Sequence, residues 1–277
     1  MNRPAWIIIG LLALVSAILL LRNNRTESSG FCLPLPDLNN FMMPKPTISL
    51  PYPAPPTPEA WSKLPPADRL ANIHTRVKPL LVEEMRKQGF KLGAPAFLRG
   101  FKEDRELELW LQTTQGWERF RNYPIAALSG SLGPKLREGD GQTPEGFYAV
   151  NSSLMNANSK YHLAMNIGYP NAWDIQHQRT GSYIMIHGGN VSIGCLAMTD
   201  PVIEELYLIV EAALAAGQSE VPVHLFPARM TNERMKAAES EAAVSFWKEL
   251  QPVYEAFEAT HLPPAVTVVG GVYRVQK

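Results

Sequence analysis

Apolar positions along the chain fall into blocks of different period. Residues 6–21 (WIIIGLLALVSAILLL) form an unbroken apolar run without charge. Residues 68–89 place Leu70, Ile73, Val77, Leu80, Leu81 and Met85 close to a 3.6-residue period. That spacing predicts one amphipathic helix, closed by Gly89. From Ala96 the pattern shortens to β-rich runs at residues 96–101, 106–113, 123–129, 146–150, 161–168 and 182–189. Leu107, Leu109 and Leu111 alternate with other residues as a half-buried strand requires. Clusters rich in Gly, Pro and Asp, such as GPKLREGDGQTPEG, separate these runs.

Asp200-Pro201 predicts a helix start, with Asp200 at the N-cap, Pro201 at the first helical position and Glu204 and Glu205 in the first turn. Ile203, Leu206, Tyr207, Val210 and Leu214 make its apolar face, and Gly217 ends it. Residues 221–230 predict a strand, and residues 232–260 a helix broken at Pro252. Residues 266–275 predict a hairpin about Gly270-Gly271. The fold class expected is α+β, a mainly antiparallel sheet or sandwich with peripheral helices.

The first apolar run, behind Arg3 and ahead of Arg22 and Arg25, is sixteen residues long. A full membrane span takes about 20 residues and a signal-peptide core about 7 to 15. Residues 1–30 therefore read first as an uncleaved signal-anchor. A cleaved signal is the alternative, with Ser28-Ser29-Gly30 offering small residues for cleavage. Bulky Phe31 before Cys32 argues against lipoprotein acylation. Either reading places the rest of the chain outside the cytoplasm, in the periplasm and tethered to the inner membrane if the anchor stays. Eleven of the 36 positions from 31 to 66 are proline, which disfavours helix and central strand. This stretch is expected to be an extended spacer, with the folded domain at 67–277.

Composition narrows the functions. Apolar residues make up 45% and charged residues 19%, enough for a buried core and too apolar for a disordered chain. Lys plus Arg and Asp plus Glu both number 26, so the chain has no net charge and no basic run to hold nucleic acid. Two cysteines, Cys32 and Cys195, cannot build a disulfide framework, and both are expected free. No spacing announces a zinc site, and no metal or cofactor is expected.

The chemistry gathers in IMIHGGNVSIGCLAMTD, where His187 ends a strand and Cys195 follows on a loop. A thiol nucleophile needs a base in reach and backbone N–H groups facing the developing oxyanion. Glycines 188, 189 and 194 let backbone approach a substrate. On spacing alone a small buried core cysteine is the readier explanation of the segment. His74, His224 and His261 read as surface or satisfied histidines, while His162 and His177 flank NIGYPNAWD and could line a cleft.

The segment resembles the active-site signature of the L,D-transpeptidase catalytic domain (YkuD) family, in which a strand-borne His-Gly precedes Ser-His-Gly-Cys. The stretch YPIAALSGSLGPKLREGDGQTPEGFYAV is similar to the family's strand, turn and TP.G.F region. NIGYPNAWD, RTGSYIMIHGG and VSIGCLAMTD resemble its membrane-tethered, YafK-like branch. The likeness runs over roughly residues 60 to 275. It implies Cys195 as nucleophile, His187 as base, the Gly188 carbonyl as the group that orients the imidazole, and Gly194 and Cys195 as oxyanion amides. Ser192, Gly189 and Tyr183 are the expected substrate contacts. The sequence departs from the signature in three ways. Ile193 stands at the second histidine, Ala197 and Thr199 replace Arg and Asn, and only seven residues separate His187 from Cys195.

The resemblance implies acyl transfer on peptidoglycan stem peptides containing meso-diaminopimelate. The leading expectation is hydrolysis of an amide at diaminopimelate, including one that links a protein to peptidoglycan. Cross-link formation or protein attachment is the alternative, and a non-catalytic peptidoglycan-binding anchor the third. If thiolate formation governs both, turnover and reaction with a small electrophile are expected to share one pH profile.

Overall fold

The computed structural model describes residues 48–238 and 242–276, all within the compact unit Phe41–Lys277. The expected signal-anchor, Cys32 and the first part of the proline spacer lie outside the described residues. Among the described residues, no helix is long and apolar enough to cross a membrane.

The chain enters along extended residues 48–57, where Ile48, Leu50 and Tyr52 pack partly buried against the main core. Helix α1 (Pro58–Lys63) follows, although residues 31–66 read as too proline-rich for helix. Its prolines explain the difference. Pro58 occupies the first helical position, where no N–H is needed, and Thr57 caps the helix by accepting from Ala60 N–H. The single helix expected over 68–89 is two, α2 (Pro66–Arg76) and α3 (Lys78–Lys87), parted at Val77 ahead of Pro79.

Strands β1 (Ala96–Phe101), β2 (Glu106–Thr113), β3 (Gly116–Pro124), β4 (Gly146–Val150) and β9 (Val221–Phe226) form a five-stranded sheet in the order β3-β2-β1-β9-β4. Pairing is antiparallel except between β1 and β9. A second sheet orders β5 (Met155–Asn156), β6 (Ala164–Asn166), β7 (Met185–His187) and β8 (Leu196–Ala197), with only β7 and β8 parallel. Between β6 and β7 lies the short helix α4 (Ala172–Gln176).

Helix α5 (Asp200–Ala215) packs on β1 and β9 of the larger sheet and on β6 and β7 of the smaller one. Ten of its sixteen residues are buried, so its apolar surface extends beyond the single stripe expected. The other face of the larger sheet meets α7 (Val244–Thr260), through Phe101, Phe226, Leu250 and Tyr254. Strand β1 is therefore buried on both faces, and Arg99, 1% exposed, is balanced there by Glu108 and Glu258. The hairpin β10 (Val266–Val269) and β11 (Val272–Val275) closes the chain as expected.

The C-terminal helical region breaks at a different place from the one expected. Helix α6 (Asn232–Ala237) ends well before α7, and Pro252 lies inside α7. The carbonyl that Pro252 leaves without its usual N–H belongs to exposed Lys248, which water can serve. Of strand β3 only Tyr123-Pro124 fell within an expected run, because WERFRN carries charges on an edge strand and lacks a clean alternation.

Candidate active site

Parallel pairing of β7 with β8 sets Ile186 beside Leu196 and His187 beside Ala197. Cys195, one residue before β8, is thereby brought back toward the start of β7. The connecting loop reverses direction twice in a few residues, and Gly189 (φ 71°) and Gly194 (φ 136°) supply backbone angles that side chains disfavour. His187 and Cys195 line one open cleft of about 510 Å3.

His187 is 2% exposed, and its Nδ1 lies 2.5 Å from the Gly188 carbonyl oxygen. A carbonyl only accepts, so Nδ1 carries the proton and Nε2 is left as the basic nitrogen. Tyr161 packs against the ring at a centroid distance of 4.7 Å. Burial pushes the imidazole below its ordinary pKa, against the opposing pull of the Gly188 carbonyl and of Asp200. Half-buried Cys195 directs its S–H toward the Tyr183 carbonyl, with Sγ 3.6 Å from the oxygen. Burial pushes this thiol up, opposed by the Met185 backbone and by Lys135. Both shifts favour the uncharged forms of the two groups.

The two ionisations therefore move apart, and the single pH profile expected from the sequence does not follow. Turnover that uses His187 as base is lost as pH falls through its depressed pKa, below the ordinary value of 6.5. Alkylation of Cys195 by iodoacetamide without substrate instead climbs in the alkaline range, above the ordinary thiol value of 9.0. Parallel measurements from pH 4 to 10 should give a turnover plateau near neutrality, where alkylation is still slow. Superimposable profiles would contradict this arrangement.

The remaining expected residues divide by position. Tyr183, 70% exposed, stands on the cleft rim beside Cys195. Ser192 lines the cleft, but its hydroxyl serves the loop, donating to the Cys195 carbonyl at 2.7 Å and accepting from Gly194 N–H at 3.1 Å. The Gly194 amide expected to face an oxyanion is thus held by Ser192 in this arrangement. Gly189 is tied to α5 instead of facing the catalytic cleft, for its N–H donates to Asp200 Oδ1 at 2.8 Å and its carbonyl accepts from Thr199 N–H. Asp200 itself is the first residue of α5, and Thr199, at φ 73°, occupies the N-cap. The expected capping carboxylate is thereby freed to reach the loop.

His162 lies beneath the site, 4% exposed, its Nε2 2.8 Å from Glu204 Oε1 and its ring stacked on Trp61. His177 stacks on Trp173 away from the cleft. His74 is paired with Glu211 at the surface, while His224 is buried between Phe97 and Phe147. The sequence reading missed Lys135 and Tyr161. Lys135 lies 60 residues before Cys195, in the Gly/Asp-rich segment read as a separator. 

Only the tertiary fold carries Lys135 to the cleft, where its ammonium is bound to Asp140 Oδ1 and the Arg137 carbonyl. Among the described residues, no three His, Cys, Asp or Glu side chains converge in a way that could hold a metal ion.

Comparison with known proteins bears on the family of the chain. The model of the YkuD L,D-transpeptidase catalytic domain matches residues 104–224, which include His187 and Cys195. The chain is 44% identical over 186 residues to YafK of Escherichia coli (strain K12), which bears a provisional L,D-transpeptidase name. That alignment covers 67% of this chain and 76% of YafK. A single-residue mutant of the helical cell shape determining protein Pgp2 from Campylobacter jejuni aligns with a TM-score of 0.41 at 20% identity, over 63% of this chain and 62% of that one. Bd1075 of Bdellovibrio bacteriovorus aligns with a TM-score of 0.36 at 18% identity, over 60% of this chain and 57% of its own. Identity to YafK over most of both chains carries the assignment: this chain belongs to the YkuD family of L,D-transpeptidase catalytic domains.

Proposed function

We propose that the chain is a periplasmic cysteine acyl-transfer enzyme acting on diaminopimelate-containing peptidoglycan stem peptides, and that its preferred reaction is hydrolysis of an amide at diaminopimelate. Residues 67–277 form the catalytic domain, carried from the inner membrane by the N-terminal segment and proline spacer. The observation that carries the catalytic part is the Nδ1 contact of His187 with the Gly188 carbonyl, in a cleft shared with Cys195. It leaves Nε2 to act as base.

In the first step the Cys195 S–H proton passes to His187 Nε2 as sulfur bonds to the amide carbonyl carbon. The C–N bond then breaks, and the imidazolium returns that proton to the departing amine. Water next adds to the thioester and loses a proton to His187. The C–S bond breaks, leaving a carboxylic acid, and the proton returns to sulfur. The Cys195 amide meets the developing oxyanion, and Gly194 joins it when Ser192 turns away.

Access to the thioester favours water over a bulky amine. Ile193 is 86% exposed at the cleft rim, with Tyr183, Val191 and Tyr161 also exposed there. These four residues present apolar surface to an acceptor amine, although Glu138, Asn158, Lys160 and Ser182 also line the cleft, and positioning accounts for several kcal/mol of an acyl-transfer barrier. Water needs little of it. The same rim suits the methylene chain of diaminopimelate.

The test incubates purified protein with disaccharide tetrapeptides and, separately, with a diaminopimelate–lysine conjugate. Release of free lysine, with cross-linked dimers at least about tenfold slower, is the expected outcome. Robust dimer formation from the first substrate with no cleavage of the second would reject hydrolysis in favour of cross-linking.

A further inference from the structure

We propose that Asp200 is a positioning residue for His187, acting on it through the Gly188–Gly189 peptide group. The inference rests on the reading of His187 as the base for Cys195. One peptide unit carries both contacts. Its carbonyl, on Gly188, faces His187 Nδ1 at 2.5 Å, and its N–H, on Gly189, donates to Asp200 Oδ1 at 2.8 Å. A carboxylate accepting from a peptide N–H polarises the same peptide's carbonyl, which makes that carbonyl a better acceptor for the imidazole proton. Charge that develops on His187 when it takes the thiol proton is thus met by a dipole with an anion behind it.

The surroundings fix this arrangement. A Cβ added at Gly188 would stand 2.5 Å from Asp200 Oδ1 and 2.8 Å from both His162 Cβ and the Tyr161 carbonyl oxygen, so side chain and peptide are closely packed. Gly188 N–H is itself held by the Tyr161 and Leu163 carbonyls. Behind Asp200, His162 Nδ1 lies 3.9 Å from Oδ2, and its Nε2 bonds Glu204, which Arg76 also binds. The groups that bear on the pair are therefore Asp200 and Glu204 from α5, His162 and Tyr161 from the segment before β6, Arg76 from α2 and Lys135 on the thiol side. Asp200 opposes the loss of the His187 proton that burial imposes, as an anion on this path requires.

The test uses Asp200→Asn in the full chain, because its amide oxygen can still accept from Gly189 N–H while the charge is gone. Turnover is read as kcat, KM and pH profile in two backgrounds, wild type and His187→Gln, with iodoacetamide alkylation of Cys195 at pH 7 as a control. With His187 present, Asp200→Asn is expected to slow kcat by roughly tenfold, to leave KM nearly unchanged, and to move the acid limb of turnover to lower pH by about one unit. Alkylation, governed by the thiol's own ionisation, should stay unchanged or become slightly faster once the anion is gone. An equal slowing of the residual kcat in the His187→Gln background would mark Asp200 as merely structural and overturn the proposal, as would an unmoved acid limb. Should Asp200→Asn fail to fold, Asp200→Ser carries the same comparison through its hydroxyl. Failure of the underlying reading looks different, since His187→Gln alone would then retain wild-type turnover.

Discussion

Replacing Cys195 with alanine is expected to take turnover below detection while the melting temperature stays within about 3 °C of the parent. The side chain is half-buried on a loop, and its S–H makes one long contact, to the Tyr183 carbonyl, so little packing depends on it. Without the sulfur no thioester forms, and the acyl group has nowhere to go. His187 differs in its stability cost. A histidine on an exposed glycine-rich loop could be removed cheaply, but this one is 2% exposed at the end of β7, against Tyr161. His187→Ala leaves a cavity and a carbonyl without its donor, at a cost of roughly 1–3 kcal/mol. His187→Gln nearly fills the space and still removes the base. On the order of 10^3-fold lower kcat/KM is expected from it. Steady-state release of amine, measured with thermal melting of each variant, separates loss of chemistry from loss of fold. A folded Cys195→Ala protein that still cleaved the conjugate at the parent rate would end the covalent mechanism.

Gly188→Ala should be almost as damaging, although the residue contributes no side chain to the reaction. Its φ lies outside the positive range, so backbone strain is not the reason. Space is. The new methyl would press on the Asp200 carboxylate, on His162 Cβ and on the Tyr161 carbonyl, all at 2.8 Å or less. Two of these belong to backbone or to the stem of a buried side chain and cannot swing aside. The 188–189 peptide must move instead, and it carries the carbonyl that fixes the His187 tautomer. A loss of about 1–3 kcal/mol in stability is expected from overpacking, with kcat falling by on the order of 10^2-fold as the imidazole loses its alignment. KM should change little, because the cleft rim is elsewhere. Wild-type kcat in a folded Gly188→Ala protein would show that the carbonyl does not orient the base.

Much of this was legible in the sequence, for reasons that differ by element. Alternation of Leu107, Leu109 and Leu111 and the spacing of Ile203, Leu206, Tyr207, Val210 and Leu214 gave strand and helix correctly, although both elements are buried on more than the one face those periods implied. His187 and Cys195 could be singled out through the resemblance of their segment to a family signature, since spacing alone left a core cysteine open, and the fold sets both on one cleft. Most of strand β3 was not legible, since an edge strand can carry charge and hides its period. The division at Val77 and the uninterrupted run through Pro252 also escaped. A proline's effect depends on whether its missing N–H or the carbonyl it orphans can be served, and that depends on exposure.

The site separates along the same line. Local sequence supplied the candidate thiol and imidazole, Cys195 and His187, and the glycines that bend the loop between them. The fold alone decided their electrostatic state, because burial from α5 and the two sheets raises the thiol and lowers the imidazole, and no residue pattern encodes that depth. Distant segments converge there as well. Lys135 reaches the thiol side, while His162, Glu204 and Arg76 stand behind Asp200. Asp200 looked like a helix cap, and sequence gave no sign that Thr199 would take that place and turn the carboxylate toward Gly189. Covalent spacing fixes what neighbours in the chain can do. Which partners a side chain finds across tens of residues follows from how the sheets and α5 pack, and only the tertiary structure holds that information.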